Sequence, residues 1–123
     1  MFTHVMVGAD DIEKSRRFYD ALFEILGVGP GYTDSRGRVF YRMPTGAFGI
    51  TRPIDGKAAC SANGGTIGFA ASTPDQVKAW HDAGLRAGGT SCEDPPGVRS
   101  GFGAYAAYLR DPAGNKLCAS CAV

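Results

Sequence analysis

The chain has 123 residues, 44% of them hydrophobic, and its 13 Lys and Arg against 12 Asp and Glu give a formal net charge of +1. This length fits one domain, 1–123, with a core of its own. The cationic residues are scattered, which argues against nucleic acid or an anionic membrane as the main partner. No apolar run has the length of a membrane span and the N-terminal stretch lacks a secretory pattern, so the composition predicts a cytoplasmic protein.

The first predicted elements are a strand and a helix within THVMVGADDIEKSRRFYDALFEILG, residues 3–27. Asp10 is placed to cap the helix with Glu13 reaching back, and Gly27 is a typical stop. Apolar residues then fall on one helical stripe. Three strand-like segments follow, at about 31–33, 38–43 and 47–52.

The second half of the chain repeats this order. GTIGFAASTPDQVKAWHDAGLRAGG, residues 65–89, predicts a strand and a helix that opens on a Thr73 to Gln76 capping box. Strand-like segments follow at about 90–92, 103–110 and 115–121. A shift of 62 residues places His4 on Thr66. The sequence therefore predicts two βαβββ repeats, about 1–56 and 63–123, in an α+β fold. The expected architecture is a cupped mixed sheet of eight strands with both helices on its outer face.

The four cysteines do not form the pattern of a disulfide framework or a zinc site. Cys118 and Cys121 stand three apart on a predicted strand, so their side chains point to opposite faces. Zinc ligands usually come as close pairs on turns. We therefore interpret the cysteines, with Cys60 and Cys92, as structural or free thiols.

Several segments, in order and together with the repeat, carry a family resemblance. They are HVMVGADDIEKSRRFYDALFEILG, FGITRPIDGKAA, the repeated strand and helix of residues 65–89, and YAAYLRDPAGNKLCA with its DPAGNKL turn. The whole chain resembles the vicinal oxygen chelate superfamily, which includes glyoxalases, bleomycin-resistance proteins and extradiol dioxygenases. A fold of this kind hosts many activities, so the resemblance predicts the architecture more specifically than the chemistry.

The resemblance implies a divalent metal site built from the first and last strands of each repeat. The matching positions are His4 and Thr66 on the first strands and, from an alignment of the turns, Ile50 and Cys118 on the last ones. Such a set offers at most two good ligands, where the family chemistry needs His together with carboxylates. We therefore expect no metal cofactor, and a divalent metal held by His4 is the alternative.

The resemblance also implies which side chains line the cup. From its strand parity with Phe48 and Ile50, Arg52 would point into the cup mouth and bind a carboxylate or phosphate, or else be a solvated surface arginine. The catalytic candidates are His4 and Cys118, with Cys118 either a nucleophile or a small buried hydrophobe. Tyr105 and Tyr108 have opposite strand parity, so one faces the cup and the other the helices. The expected ligand-binding set is His4, Met6, Phe48, Ile50, Arg52, Thr66, Tyr105, Tyr108 and Cys118.

Three functions are consistent with these residues. The first is binding of a small, partly apolar molecule in the cup without a metal. The second is a metal-dependent lyase or dioxygenase that uses His4, and the third is an interaction subunit with a vestigial cup. Because open sheet edges are usually paired or covered, and because of the resemblance, we also expect a homodimer. The sequence names no substrate.

Overall fold

The computed structural model describes all 123 residues as two helices and nine strands. The first half holds β1 (His4–Gly8), α1 (Ile12–Ile25), β2 (Tyr32–Thr33), β3 (Val39–Met43) and β4 (Gly46–Thr51). The second half holds β5 (Ile67–Ala70), α2 (Pro74–Arg86), β6 (Thr90–Ser91), β7 (Gly97–Arg99), β8 (Ala104–Arg110) and β9 (Lys116–Ala122). Neither helix has the length and apolarity that a membrane crossing requires.

Helix α1 begins one residue later than its sequence pattern predicts. The Asp11 carboxylate, rather than that of Asp10, accepts a hydrogen bond from the backbone N–H of Lys14 at 3.0 Å. Asp10 instead accepts from the backbone N–H of Ala59 at 2.8 Å, and so holds the long connection between the halves against the start of α1. Two adjacent aspartates can both cap, and the tertiary contact to Ala59 decides between them.

Helix α2 begins as its capping box predicts. The Thr73 hydroxyl accepts from the backbone N–H of Gln76 at 3.1 Å, and Pro74 occupies the first turn, where its missing N–H costs nothing. The Gln76 side chain accepts from the Ser72 N–H and donates to the carbonyl of Ile25. Because Ile25 ends α1, this one amide joins the two helices.

The strands form two mixed sheets with the same internal order. In the first sheet the order is β1-β4-β3-β2, and in the second it is β5-β9-β8-β6, with β7 paired to β8. The β1–β4 and β5–β9 pairs are parallel, and the remaining pairs are antiparallel. The predicted α+β class with two βαβββ units is confirmed, with nine strands instead of eight. The additional strand β7 follows Pro95 and Pro96, which made this segment unlike a strand in sequence.

One hydrophobic core draws on both halves of the chain. Helices α1 and α2 pack against each other, and an added Cβ on Gly84 of α2 would lie 3.0 Å from the Leu22 side chain of α1. Phe69 of β5 lies edge-on to Phe23 of α1 and Phe48 of β4, with ring centroids 5.2 and 5.4 Å away. Each sheet therefore has one face on the helices. We call the opposite face of each sheet its open face.

The β3–β4 and β8–β9 turns differ in length by one residue, and this changes which residues of β4 and β9 are equivalent. Arg42 pairs with Ala47 across residues 43–46, whereas Arg110 pairs with Lys116 across residues 111–115. The repeat shift of 62 residues aligns Val7 with Phe69. Across the parallel pairs, Val7 lies opposite Ile50 and Phe69 lies opposite Ala119, so Ile50 is equivalent to Ala119. The residue of the first repeat that is equivalent to Cys118 is therefore Gly49, and the alignment that gave Ile50 is wrong.

This correction moves two predicted ligand-binding residues into the core. Phe48 and Ile50 are 2% and 0% exposed, and both face the helices. A slip of one residue reverses the face of every side chain on a strand, which is why the predicted cup lining of β4 was inverted. The open face of β4 instead carries Ala47, Gly49 and Thr51.

Candidate functional site

The remaining predicted residues are divided between the two open faces. His4 and Met6 lie on the open face of the first sheet, since Val5 and Val7 between them pack on the core. Cys118 lies on the open face of the second sheet and is paired directly across from Tyr108. None of the five principal cavities is lined by both His4 and Cys118.

The two tyrosines of β8 face opposite ways, as strand parity requires. Tyr105 packs against the core, with the Lys78 ammonium of α2 lying 5.7 Å from its ring centroid, so it is not a residue of the open face. Tyr108 lies on the open face beside Cys118. The prediction that one of the pair faces the helices is confirmed, and the structure identifies that one as Tyr105.

The open face of the first sheet has an apolar floor made by Met6 and Phe40. Met6 pairs with Gly49 of β4, which in turn pairs with Phe40 of β3. A Cβ built on Gly49 would overlap the Met6 thioether and lie 3.0 Å from the Phe40 ring. The two apolar side chains therefore lie against each other above Gly49, where only glycine leaves room for them.

While Phe40 lines a separate cavity with Arg42, a cavity of about 470 Å³ opens on the Met6 side of this floor. Its remaining walls come from the β2–β3 connection and from the end of β4, so segments distant in sequence meet there. Arg52, placed in the cup by sequence, is part of this wall, and its Nε also donates to the carbonyl of Asp10 at 3.2 Å. The lining residues are Met6, Arg36, Gly37, Arg38, Thr51, Arg52, Pro53 and Ile54.

Thr66 lies outside this cavity. It is exposed just before β5 and lines a smaller cavity of about 300 Å³, which it shares with Met6 and Lys116. Met6 thus lies between the two cavities, at the junction of the first and second sheets.

Phe40 and the arginines near it were missed in the sequence. The run Arg38-Val39-Phe40-Tyr41-Arg42 alternates, with Val39 and Tyr41 in the core and the other three on the open face. The guanidinium carbons of Arg38 and Arg42 lie 5.3 and 5.8 Å from the Phe40 ring centroid. The period of two was visible in sequence and would have identified this face.

The second sheet carries an equivalent arrangement around Tyr108. The register that aligns Gly49 with Cys118 also aligns Phe40 with Tyr108. Arg99 and Lys116 flank this ring at 5.5 and 5.3 Å. Each repeat therefore presents an aromatic ring between two cations.

The Cys118 thiol is poorly suited to nucleophilic chemistry. Burial raises its pKa, and the hydrogen bond with Tyr108 offsets only part of that rise. The pKa of Tyr108 is raised as well, first by the charge that Cys118 would carry and then by burial. Both groups stay protonated at neutral pH, whereas a reactive cysteine needs a lowered pKa.

The side chains at the four positions of the family's metal site do not make a good donor set. With the corrected register they are His4, Thr66, Gly49 and Cys118. Gly49 offers no ligand, and the Cys118 thiol is protonated. No group of three or more His, Cys, Asp or Glu side chains is arranged to hold a metal ion. A single imidazole is insufficient for the sites that zinc or iron form in proteins.

Comparison with known proteins places the chain in a family. Residues 1–119 match the model of the Glyoxalase/Bleomycin resistance protein/Dioxygenase superfamily. None of the curated proteins matches. A solved glyoxalase/bleomycin resistance protein from Albidiferax ferrireducens T118 is 56% identical, with 98% of each chain covered and a TM-score of 0.94.

Two more distant structures share the fold alone. A glyoxalase/bleomycin resistance protein/dioxygenase family enzyme from Burkholderia phytofirmans PsJN is 17% identical, with 98% of each chain covered and a TM-score of 0.77. A lactoylglutathione lyase from Agrobacterium tumefaciens is 19% identical, with 98% of this chain and 92% of that chain covered and a TM-score of 0.68. With the family model spanning nearly the whole chain, this protein belongs to the glyoxalase/bleomycin resistance/dioxygenase superfamily.

Proposed function

We propose that this protein binds a small, partly apolar organic molecule on the open face of the first sheet, without a metal ion in the site. The observation that carries the proposal is a cavity of about 470 Å³ lined by Met6, whose side chain lies against Phe40 above Gly49. A concave site of this volume, with an apolar surface and a few polar groups at its rim, is typical of small-molecule binding.

The chemistry of the side chains that could ligate a metal supports the metal-independent form of this proposal. His4 is exposed and bonds the Thr3 hydroxyl through Nδ1 at 2.9 Å, so it offers one free ring nitrogen. Its neighbour across the parallel pair is Ala47, which adds no donor. We expect protein purified without added metal to contain well below one equivalent of nickel, iron, manganese or zinc.

A thermal-shift screen with small molecules tests the binding site, because a ligand of the folded state raises the melting temperature. Thr51 lines the cavity, so a Thr51→Trp variant should fill it and abolish the shift given by a screened ligand. Thr90→Trp is the matched control, since Thr90 is exposed on the short strand β6 and lines none of the principal cavities. A shift that survives in Thr51→Trp would place the ligand elsewhere.

The free ring nitrogen of His4 favours one alternative, a metal-dependent lyase or dioxygenase of the same superfamily. This alternative predicts stoichiometric metal after dialysis against a weak chelator, and loss of that metal in His4→Ala. Elemental analysis of both proteins separates the two functions. We further propose that the protein acts as a cytoplasmic homodimer, in which the partner completes the cup or covers an open sheet edge.

A further inference from the structure

The cavity beside the apolar floor concentrates positive charge that the composition does not explain. Three of its eight lining residues are the arginines Arg36, Arg38 and Arg52, and none is acidic. Arg42 adds a fourth guanidinium on the same face, beside Phe40. The chain as a whole is almost neutral, at +1, so this accumulation belongs to one place in the fold.

Only one of the arginines in the wall has a carboxylate partner. Asp34 pairs with Arg38, with an Nε to carboxylate distance of 2.7 Å, and also accepts backbone hydrogen bonds from Arg36 and Arg38. Arg52 donates to a backbone carbonyl, which carries no net charge. No acidic side chain lies within ion-pair distance of Arg36 or Arg52. Two guanidinium charges in the cavity wall therefore remain without a counter-ion.

We propose that the molecule bound on this face is an anion, with a carboxylate or phosphate group held by Arg36 and Arg52 and an apolar part lying on Met6, at the edge of the floor that it shares with Phe40. This inference rests on the proposed function and names the class of its ligand. Guanidinium groups bind both oxyanions through paired hydrogen bonds, and like charges held in one concavity favour an anionic occupant. The floor excludes water from one side of the ligand, which strengthens its charge interactions.

The second repeat provides an internal comparison. Its aromatic ring, Tyr108, lies between two cations in the same way, but one of them has an acidic partner and the other is held by several backbone carbonyls. Lys116 forms an ion pair with Glu93, and the Arg99 guanidinium donates to the backbone carbonyls of Asp94, Pro95 and Gly97. None of the principal cavities is lined by Tyr108. The same ring thus occurs in both repeats, but only in the first does a cavity wall hold arginines without a carboxylate partner.

Calorimetric titration with matched probes tests the inference. Benzoate and phenyl phosphate carry the two candidate anions on one apolar ring, benzamide is a neutral counterpart, and acetate and inorganic phosphate lack the ring. We expect at least one aromatic anion to bind at least about tenfold more tightly than benzamide and than its ring-free counterpart. Its affinity should fall as salt is added. Which of the two binds better decides between carboxylate and phosphate.

Variants assign the binding to the arginines. The Arg36→Gln/Arg52→Gln double variant should lose at least about tenfold in affinity for the anion and keep its affinity for benzamide within about twofold. Arg99→Gln, with its melting temperature checked, is the control and should bind as the wild type does. Equal binding of benzamide and the anions, or unchanged anion binding in the double variant, would overturn the inference and leave the proposed function standing. If no probe binds and the wider screen also finds no ligand, both proposals fall.

Discussion

Replacement of Asp111 tests how the two halves of the chain are held together. Asp111 is 4% exposed, and its carboxylate accepts four hydrogen bonds. The donors are the Tyr19 hydroxyl at 2.5 Å, the Asn115 amide at 2.9 Å, and the backbone N–H groups of Ala113 and Asn115 at 2.9 and 2.8 Å. Asn115 also donates to the carbonyl of Gly8 at 3.1 Å. The turn between β8 and β9 is thereby fixed to α1 and β1 of the other repeat.

We expect Asp111→Ala to lower the free energy of unfolding by about 3–5 kcal/mol. The buried Tyr19 hydroxyl then lacks its acceptor, which costs about 1–3 kcal/mol, and charge-assisted bonds to the turn are lost as well. A chain of this length is stable by roughly 6–18 kcal/mol at the usual 0.05–0.15 kcal/mol per residue, so the loss is a large fraction of the total. In urea, with a slope of about 2 kcal/mol per molar, the midpoint should fall by about 2 M.

Tyr19→Phe is the matched variant for this experiment. It removes one of the four donors and leaves the carboxylate with the other three, so we expect a smaller loss of about 1.5–3 kcal/mol. Because both variants remove the same bond, the double variant should be less destabilised than the sum of the two single losses. An Asp111→Ala protein within about 1 kcal/mol of wild type, at an unchanged urea slope, would refute the assignment of this carboxylate as the link between the repeats.

Three further predictions concern pH, thiols and assembly. Burial raises the pKa of Tyr19 and Tyr41, and the hydrogen bond to a carboxylate raises each further, so both stay neutral in the folded state when the unfolded chain ionises above about pH 10. The contribution of these groups to the free energy of unfolding should therefore be fully present below that pH and fall above it by about 1.4 kcal/mol per pH unit for each tyrosine. Denaturant titrations at several pH values should show a shallower fall for Tyr41→Phe than for the wild type. An equal dependence on pH in the two proteins would contradict this. In iodoacetamide labelling at neutral pH followed by mass spectrometry, the exposed Cys60 should react before the buried Cys118 and Cys121, and early labelling of Cys118 would reinstate it as a nucleophile. Light scattering at micromolar concentration should give the mass of a homodimer, and a stable monomer would count against the expected covering of the open sheet edges.

Local chemistry determined much of this fold without reference to tertiary contacts. The Thr73, Pro74 and Gln76 pattern fixed the start of α2, and the repeat of strand, helix and three strands gave the two modules. Such signals are readable because caps, turns and amphipathic stripes depend on residues within a few positions of each other.

The register of the hairpins was decided only by tertiary structure. In sequence both turns read as Arg followed by Pro and Gly, and nothing local shows that the second holds one residue more. Asn115 is that turn's last residue, and its amide is held by Asp111 and by the carbonyl of Gly8 in the other repeat. Because strand side chains alternate, aligning the two turns without this residue inverted the predicted faces of Phe48 and Ile50, which lie in the core.

The binding face also depends on contacts that sequence order hides. Met6, the arginines of 36–38 and Arg52 lie in three separate segments, and of these arginines only Arg52 was placed in the cup from the sequence. They meet because β1 pairs in parallel with β4, a connection made across more than forty residues. Parallel pairing requires a long crossover, so the neighbours it creates are distant in sequence, and only the folded sheet brings these charges to one cavity.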